Sequence, residues 1–287
     1  MARAVTAAGR LEPGAPYPVG PVLRWLAAHA VPGLEVCDVA ARRHRRAVGP
    51  AAVIEVDFAD PRALRVDIDA DPRQRPGIER AVRGWLDIDA PTAEIDARLA
   101  RSPVLAPLVA ARPGLRVLGA LDGFETAVMT ILGQHVSVAA ARRFGARLVE
   151  RYGSDGRGGL RAFPSPAVLA AAAPDQVQQA VGVTHARARS LHALAARVAA
   201  GELDLAPGAD SAAARAALLA LPGIGPWTAD YLALRVFRDA DAFPADDLVI
   251  KRAVGAARAA DARAAAESWR PYRAYAAVHL WTALAFA

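Results

Sequence analysis

Apolar residues follow two different rhythms along this chain. Over roughly the first ninety positions they fall in short runs. Ala51–Phe58 (AAVIEVDF) and Ala63–Ile68 (ALRVDI) are rich in β-branched residues and partly alternate, as half-buried antiparallel strands do. Leu34–Ala40 reads as a further extended stretch, and Asp60-Pro61 supplies turn chemistry. Ahead of these, Val19–Ala30 (VGPVLRWLAAHA) has helical spacing, with Val22, Leu23, Trp25 and Leu26 on one face. The pattern predicts a small antiparallel sheet with one or two packed helices over residues 1–90.

From Pro91 onward the rhythm is helical, broken by Gly, Pro or polar residues. Helices are predicted over Thr92–Ala100, Gly123–Leu132, Val136–Tyr152, Ser165–Ala172, Pro174–Val181, His185–Ala200, Ser211–Leu221, Trp227–Phe237, Asp247–Ala257 and Pro271–Phe286. Pro166, Pro174 and Pro271 sit at or near first turns, where the missing N–H would lack a partner anyway. Tyr152–Gly159 reads as a flexible loop, and the Ala/Arg run Gly255–Ala266 as a helical, solvated surface. The fold class is therefore α+β and mostly α: an N-terminal mixed region, 1–90, then a helical region, 91–287.

Composition narrows the classes. With 287 residues, 54% hydrophobic and 22% charged, the chain can bury a sizeable core and general disorder is not expected. No apolar run approaches the ~18–20 residues of a membrane span, and the first twenty residues lack the apolar block of a signal peptide. A soluble protein of the cytoplasm, with no membrane partner, is expected. The one cysteine, Cys37, cannot build an intramolecular disulfide, a four-cysteine zinc site or an iron–sulfur cluster, and does not supply the reactive cysteine set of an alkyl-transfer activator. Net charge is +6, carried by arginine and a single lysine, Lys251. A GC-rich genome accounts for most of this bias, yet a polyanion remains the favoured partner.

The chemistry concentrates in Leu221-Pro-Gly-Ile-Gly-Pro-Trp-Thr-Ala-Asp-Tyr231. Gly223 and Gly225 flank Ile224, which pins a tight turn to the core. The free N–H groups at the following helix start suit a phosphate oxygen and read no base. An ordinary αα-hairpin whose glycines serve only the turn fits the same residues. Trp227 opens the second helix, and Asp247 follows twenty positions later in Phe243-Pro-Ala-Asp-Asp-Leu-Val-Ile-Lys251. Taken blind, that Asp is a helix N-cap, and any lone Trp is core.

These residues together resemble the helix-hairpin-helix DNA glycosylases, specifically the 3-methyladenine DNA glycosylase II family. PGIGPWTADY matches the family's hairpin, FPADDLVIK its acidic segment, and His279-Leu280-Trp281 its C-terminal HLW. Ile131-Leu-Gly-Gln-His-Val-Ser137 resembles its DNA-inserting turn. The resemblance implies a β-sheet N-terminal domain and two helical subdomains (about 118–240, and about 91–117 plus 241–287) with a cleft between them. It implies release of alkylated purines such as 3-methyladenine from double-stranded DNA by base flipping and hydrolysis of the N-glycosidic bond. No cofactor would be required and no metal site is assigned, although the family uses a monovalent cation at the hairpin. A monomer is expected.

On that resemblance Asp247 is the carboxylate that stabilises positive charge building on the sugar. At ~4 Å and an effective dielectric near 20, such a contact is worth about 4 kcal/mol, or a thousandfold in rate. Asp246 is the second choice. Trp227 and Trp281, with Tyr231 one turn after Trp227, would stack on a cationic base; Trp25, Trp85 and Trp269 are assigned to the core. His135 occupies the position of the inserted wedge, in place of a bulky aliphatic residue, and Gln134 would contact the base edge opposite. Lyase relatives carry a Schiff-base lysine where this chain has Trp227, so no lyase activity is expected. Lys251 is read as a phosphate or capping contact. Leu248 stands where the family can have an aromatic residue. The alternatives are a glycosylase for deaminated or oxidised bases, and a non-catalytic DNA-binding module built on the same hairpin.

Overall fold

The computed structural model describes residues 7–284. The N-terminal region contains β1 (Ala7–Leu11), α1 (Val19–His29), β2 (Glu35–Asp38), β3 (Arg43–Val48), β4 (Ala52–Asp57), β5 (Leu64–Asp69) and α2 (Arg75–Trp85). The strands form one antiparallel sheet in the order β1-β5-β4-β3-β2, with Leu11 opposite Leu64, Val56 opposite Val66 and Arg46 opposite Ile54. Inward side chains of β4 and β5 (Ile54, Val56, Leu64, Val66) pack on Val22, Leu23 and Leu26 of α1 and on Ile78, Val82 and Trp85 of α2.

Two strands and a helix escaped the apolar pattern. β1 is a short edge strand. β3 reads RHRRAV, and its inward residues His44 and Arg46, 0% and 7% exposed, are polar. They are tolerated because carboxylates meet them: His44 Nε2 lies 3.1 Å from Glu35, and Arg46 donates to both oxygens of Glu125 at 2.6 and 2.8 Å. A buried arginine facing carboxylates replaces the alternation that marks a strand. In α2, three apolar residues at helical spacing are diluted by charged neighbours.

The helical region holds α3 (Thr92–Leu99), α4 (Ala106–Ala111), α5 (Gly123–Gly133), α6 (Val138–Tyr152), the strand pair β6 (Ser154–Asp155) and β7 (Arg161–Ala162), α7 (Pro166–Ala171), α8 (Pro174–Val181), α9 (His185–Ala199), α10 (Ser211–Leu219), α11 (Pro226–Arg235), α12 (Leu248–Ala253), α13 (Ala259–Ala265) and α14 (Arg273–Leu284). Several starts are capped as their residue types demand: Asp122, Ser137, Ser165, Thr184 and Asp210 each accept from a backbone N–H two or three residues on.

The expected flexible loop at 152–159 is instead a pinned hairpin. Arg45 donates to the Gly158 carbonyl at 2.9 Å, and Arg157 pairs with Asp69 at 2.8 Å, tying it to the sheet. The Ala/Arg run is helical only from Ala259, and it is not wholly solvated: Ala262 and Ala266 are fully buried. Alanine leaves room for close helix packing, while the arginines face water.

Two helical cores meet along α11. One gathers Phe124, Ile131, Leu191, Leu218 and Leu232; the other gathers Ile95, Leu99, Leu234, Phe243 and Leu280. Leu232 of α11 and Val236 just after it belong to the first core, and Ala233 and Leu234 to the second, so this helix is apolar on both sides and carries whatever projects between them. Among the described residues, no helix is long and apolar enough to cross a membrane.

Candidate active site

The hairpin joins α10 to α11. Gly223 has φ +76°, and a Cβ placed there would stand 2.4 Å from Ser190 Oγ, so both conformation and space demand glycine. Ile224 is buried in the first core, as its place in the turn requires. Gly225 ends the turn with extended backbone and no neighbour near its would-be Cβ. The first intrahelical bond of α11 runs from Ala229 N–H to the Gly225 carbonyl at 3.1 Å. The amides of Trp227 and Thr228 therefore precede the helical ladder, and Pro226 has none to offer.

The turn between α5 and α6 lies against this hairpin. Gln134 Nε2 donates to the Gly223 carbonyl and to Thr228 Oγ1, each at 3.0 Å. Its amide nitrogen thus braces the hairpin rather than reaching out to a base edge. Arg187 donates in turn to the Gln134 carbonyl. His135 follows, exposed and in the left-handed region at φ +55°, a conformation that histidine tolerates better than most residues. The wedge candidate stands at the tip of the turn.

Asp247 caps α12. Its Oδ1 accepts from Val249 and Ile250 N–H at 2.9 and 3.0 Å, and its Oδ2 accepts from the indole Nε1 of Trp227 at 2.9 Å. Capping and site duty thus fall on different oxygens. Oδ1 has both lone pairs engaged, and Oδ2 keeps one free. Trp227 stacks on Tyr231, with ring centroids 5.2 Å apart and planes 13° apart, and Trp281 lies 5.9 Å beyond Tyr231 at 52°. Asp247 and these three rings line one cavity of about 540 Å³. Asp246 is exposed and outside it. Lys251 is not among the cavity residues, nor is Leu248, which is 73% exposed.

Residues the sequence did not single out complete the wall. Trp25, assigned to the core, is half-buried, packing against the N-terminal core and also lining the cavity; Trp85 and Trp269 are core residues, though Trp85 also borders the cavity. Trp25 stacks on His29 at 4.2 Å, and Arg235 lies over its ring with the guanidinium carbon 4.1 Å from the centroid. Helical spacing could have pointed to Arg235, which follows Tyr231 by one turn. Burial holds His29 down to about 4. On the far wall Glu125 is pushed up to about 7 by burial, against the pull of Arg46. Glu35 is also buried, but Arg46 and His44 outweigh that and take it to about 2. Among the described residues, no group of three His, Cys, Asp or Glu side chains could hold a metal ion. The hairpin carbonyls of Leu221 and Gly223 accept from Ile224 N–H and Gln134, and each retains one lone pair for a hard cation.

Comparison with known proteins follows this geometry closely. Residues 10–122 match the family described as AlkA N-terminal domain, and residues 128–271 match the HhH-GPD superfamily of base excision DNA repair proteins. The chain is 38% identical over 292 residues to the "Probable bifunctional transcriptional activator/DNA repair enzyme AlkA" of Mycobacterium tuberculosis, covering 99% of this chain and 58% of that protein. It therefore spans little more than half the length of that relative. It is 43% identical to DNA-3-methyladenine glycosylase 2 of Escherichia coli over 62% of this chain and 63% of that one. The structure of a 3-methyladenine DNA glycosylase from Archaeoglobus fulgidus shares the fold, with a TM-score of 0.81 at 21% identity over 96% of this chain and 97% of the other. Because the second match extends over half the chain and contains both the hairpin and Asp247, this protein belongs to the HhH-GPD superfamily of base excision DNA repair proteins.

Proposed function

We propose that the protein is a monofunctional DNA glycosylase that flips alkylated purines, such as 3-methyladenine, out of duplex DNA and hydrolyses their N-glycosidic bond. The observation that carries this reading is the Trp227–Asp247 hydrogen bond of 2.9 Å, on the wall of a cavity shared with Tyr231 and Trp281. The bond fixes a carboxylate beside stacked aromatic rings, where a deoxyribose and its extruded base would lie.

The hairpin would hold one phosphate through the early amides of α11, where the helix dipole also favours an anion. A monovalent cation on the hairpin carbonyls would add positive charge for the same phosphate. His135 would fill the gap left by the flipped nucleotide, offsetting part of the few kcal/mol that unstacking costs. As the C1′–N bond breaks, both electrons stay with the base and positive charge moves to the sugar, facing Asp247. Water then adds its oxygen to C1′ and gives up a proton, for which Asp247 has free acceptor capacity. A base methylated at N3 or N7 is cationic and leaves neutral, so it needs no strong general acid. Trp227 occupies the position where lyase relatives carry the Schiff-base lysine, and the single lysine lies outside the cavity.

The reading is tested by incubating the protein with methylated duplex DNA and identifying the free bases released. Release of 3-methyladenine or 7-methylguanine is expected, with no adduct trapped by borohydride. Duplex binding without base release would instead leave a non-catalytic hairpin module. Release of only deaminated or oxidised bases would reassign the pocket, and a trapped adduct would mean lyase chemistry.

A further inference from the structure

Three arginines are buried among the described residues: Arg46, Arg116 and Arg235. Arg46 faces Glu125 and Glu35, and Arg116 donates to the carbonyls of Asp87, Ile88 and Ala90. Arg235 has neither kind of partner. It is 6% exposed, forms no ion pair or side-chain hydrogen bond among the described residues, and its Nε is enclosed without an acceptor. What surrounds its guanidinium is aromatic: the Trp25 ring at 4.1 Å and the Tyr231 ring at 6.0 Å. It lines the same cavity as Asp247.

A largely buried cation with no ion pair among the described residues is costly, and cation–π contacts together with what its terminal nitrogens meet in the cavity offset only part of that cost. Its neighbour His29 is held down to about 4 by burial and is neutral near pH 7, so it contributes neither compensation nor further repulsion there.

We propose that Arg235 is a specificity-determining residue, whose charge disfavours a cationic base in the pocket and favours the base that has taken up the bonding electrons. The inference rests on the glycosylase reading above. Trp227 and Arg235 are eight residues apart on α11, about 12 Å along its axis at 1.5 Å per residue. Asp247 bonds to the first, so the cavity has a carboxylate at one end of this stripe and, at the other, a guanidinium with no ion pair among the described residues. When the glycosidic bond breaks, positive charge leaves the base for the sugar. A cationic base becomes neutral and a neutral base becomes anionic. In both cases charge moves down the field from Arg235 toward Asp247. The aromatic rings attract a cationic base, and Arg235 keeps that attraction from becoming a trap in the ground state. The pocket is thereby suited to turnover of bases of either charge.

The test compares the wild type with Arg235→Met and Arg235→Lys. One probe is duplex DNA carrying 2′-fluorinated 7-methyldeoxyguanosine, a cationic base on a bond that resists hydrolysis. The other carries 2′-fluorinated deoxyinosine, which is neutral. Arg235→Met is expected to bind the cationic probe about tenfold tighter and the neutral probe unchanged, while releasing 7-methylguanine about tenfold more slowly in single turnover. Arg235→Lys, which retains the charge, should follow the wild type in this split. Thermal unfolding of Arg235→Met should move to higher temperature, because a buried unpaired charge has been removed. Weaker or unchanged binding of the cationic probe overturns the proposal. So does a lower unfolding temperature or failure of Arg235→Met to fold, since either makes Arg235 a packing residue. Wild-type protein that releases no base would instead sink the glycosylase reading, a result visible before any variant is made.

Discussion

Asp247→Asn separates the two duties of one carboxylate. An asparagine can keep its oxygen where Oδ1 now accepts from Val249 and Ile250 N–H, so α12 should retain its cap. The amide nitrogen then falls where Oδ2 accepts from Trp227 Nε1 at 2.9 Å, setting donor against donor. Losing that bond costs about 1–3 kcal/mol of stability, a fall of roughly 2–4 °C in unfolding temperature for each kcal/mol in a protein of this size. Losing the charge costs more. A carboxylate ~4 Å from a developing sugar cation, at an effective dielectric near 20, supplies about 4 kcal/mol, or a factor near a thousand in rate. The assay is single-turnover release of 3-methyladenine from alkylated duplex, with binding to abasic-site DNA followed in parallel by fluorescence anisotropy. Release should fall at least about a hundredfold while binding is retained. If Asp247→Asn stays within about tenfold of the wild type, Asp247 is only a cap and an anchor for the indole.

Gly223→Ala and Gly225→Ala should part company. The first forces an L-residue to φ +76° with its Cβ 2.4 Å from Ser190 Oγ, and should cost about 1–3 kcal/mol in urea unfolding. The second meets no neighbour, so stability should hold while its methyl obstructs phosphate approach and weakens duplex binding. Equal stability losses would contradict this geometry. Acid should weaken the fold: His29 and His279, both held down to about 4 by burial, stay neutral when folded and take up protons on unfolding. Their contribution is complete above pH 6.5 and is lost as pH falls toward 4. Glu125, pushed up to about 7, works the other way, its contribution being complete below pH 4.5 and lost as pH rises through 7. The net expectation is a loss of about 2 kcal/mol between pH 6.5 and 4.5, and a flat profile by denaturant titration would refute it. Finally, His135→Ala should impair release from duplex more than from single strands; equal impairment would remove the wedge role.

How much was legible from residues alone depends on how far apart the interacting partners lie. The hairpin was legible because glycine geometry and the helix start that follows it are local properties, and Gly223, Ile224 and Gly225 sit as that chemistry requires. Tyr231 beside Trp227 follows from helical spacing alone. The cap at Asp247 was readable in the same way. That Trp227, Asp247 and Trp281 share one cavity came from the family resemblance, and the structure agrees. β3 was hidden because its inward side chains are satisfied by carboxylates elsewhere; Glu125 is 79 positions from Arg46.

The order of residues by itself determined the turns, the caps, the apolar faces and a carboxylate at the right remove from a tryptophan, because each depends on backbone preferences and side-chain periods within a few residues. Tertiary structure alone decided that Trp25, at the edge of the N-terminal core, also joins the cavity wall, that Gln134 braces the hairpin, and that Arg235 is buried with no ion pair among the described residues. Those outcomes depend on which distant surfaces meet and exclude water. The cost or benefit of a buried charge is set by its surroundings, not by its neighbours in the chain.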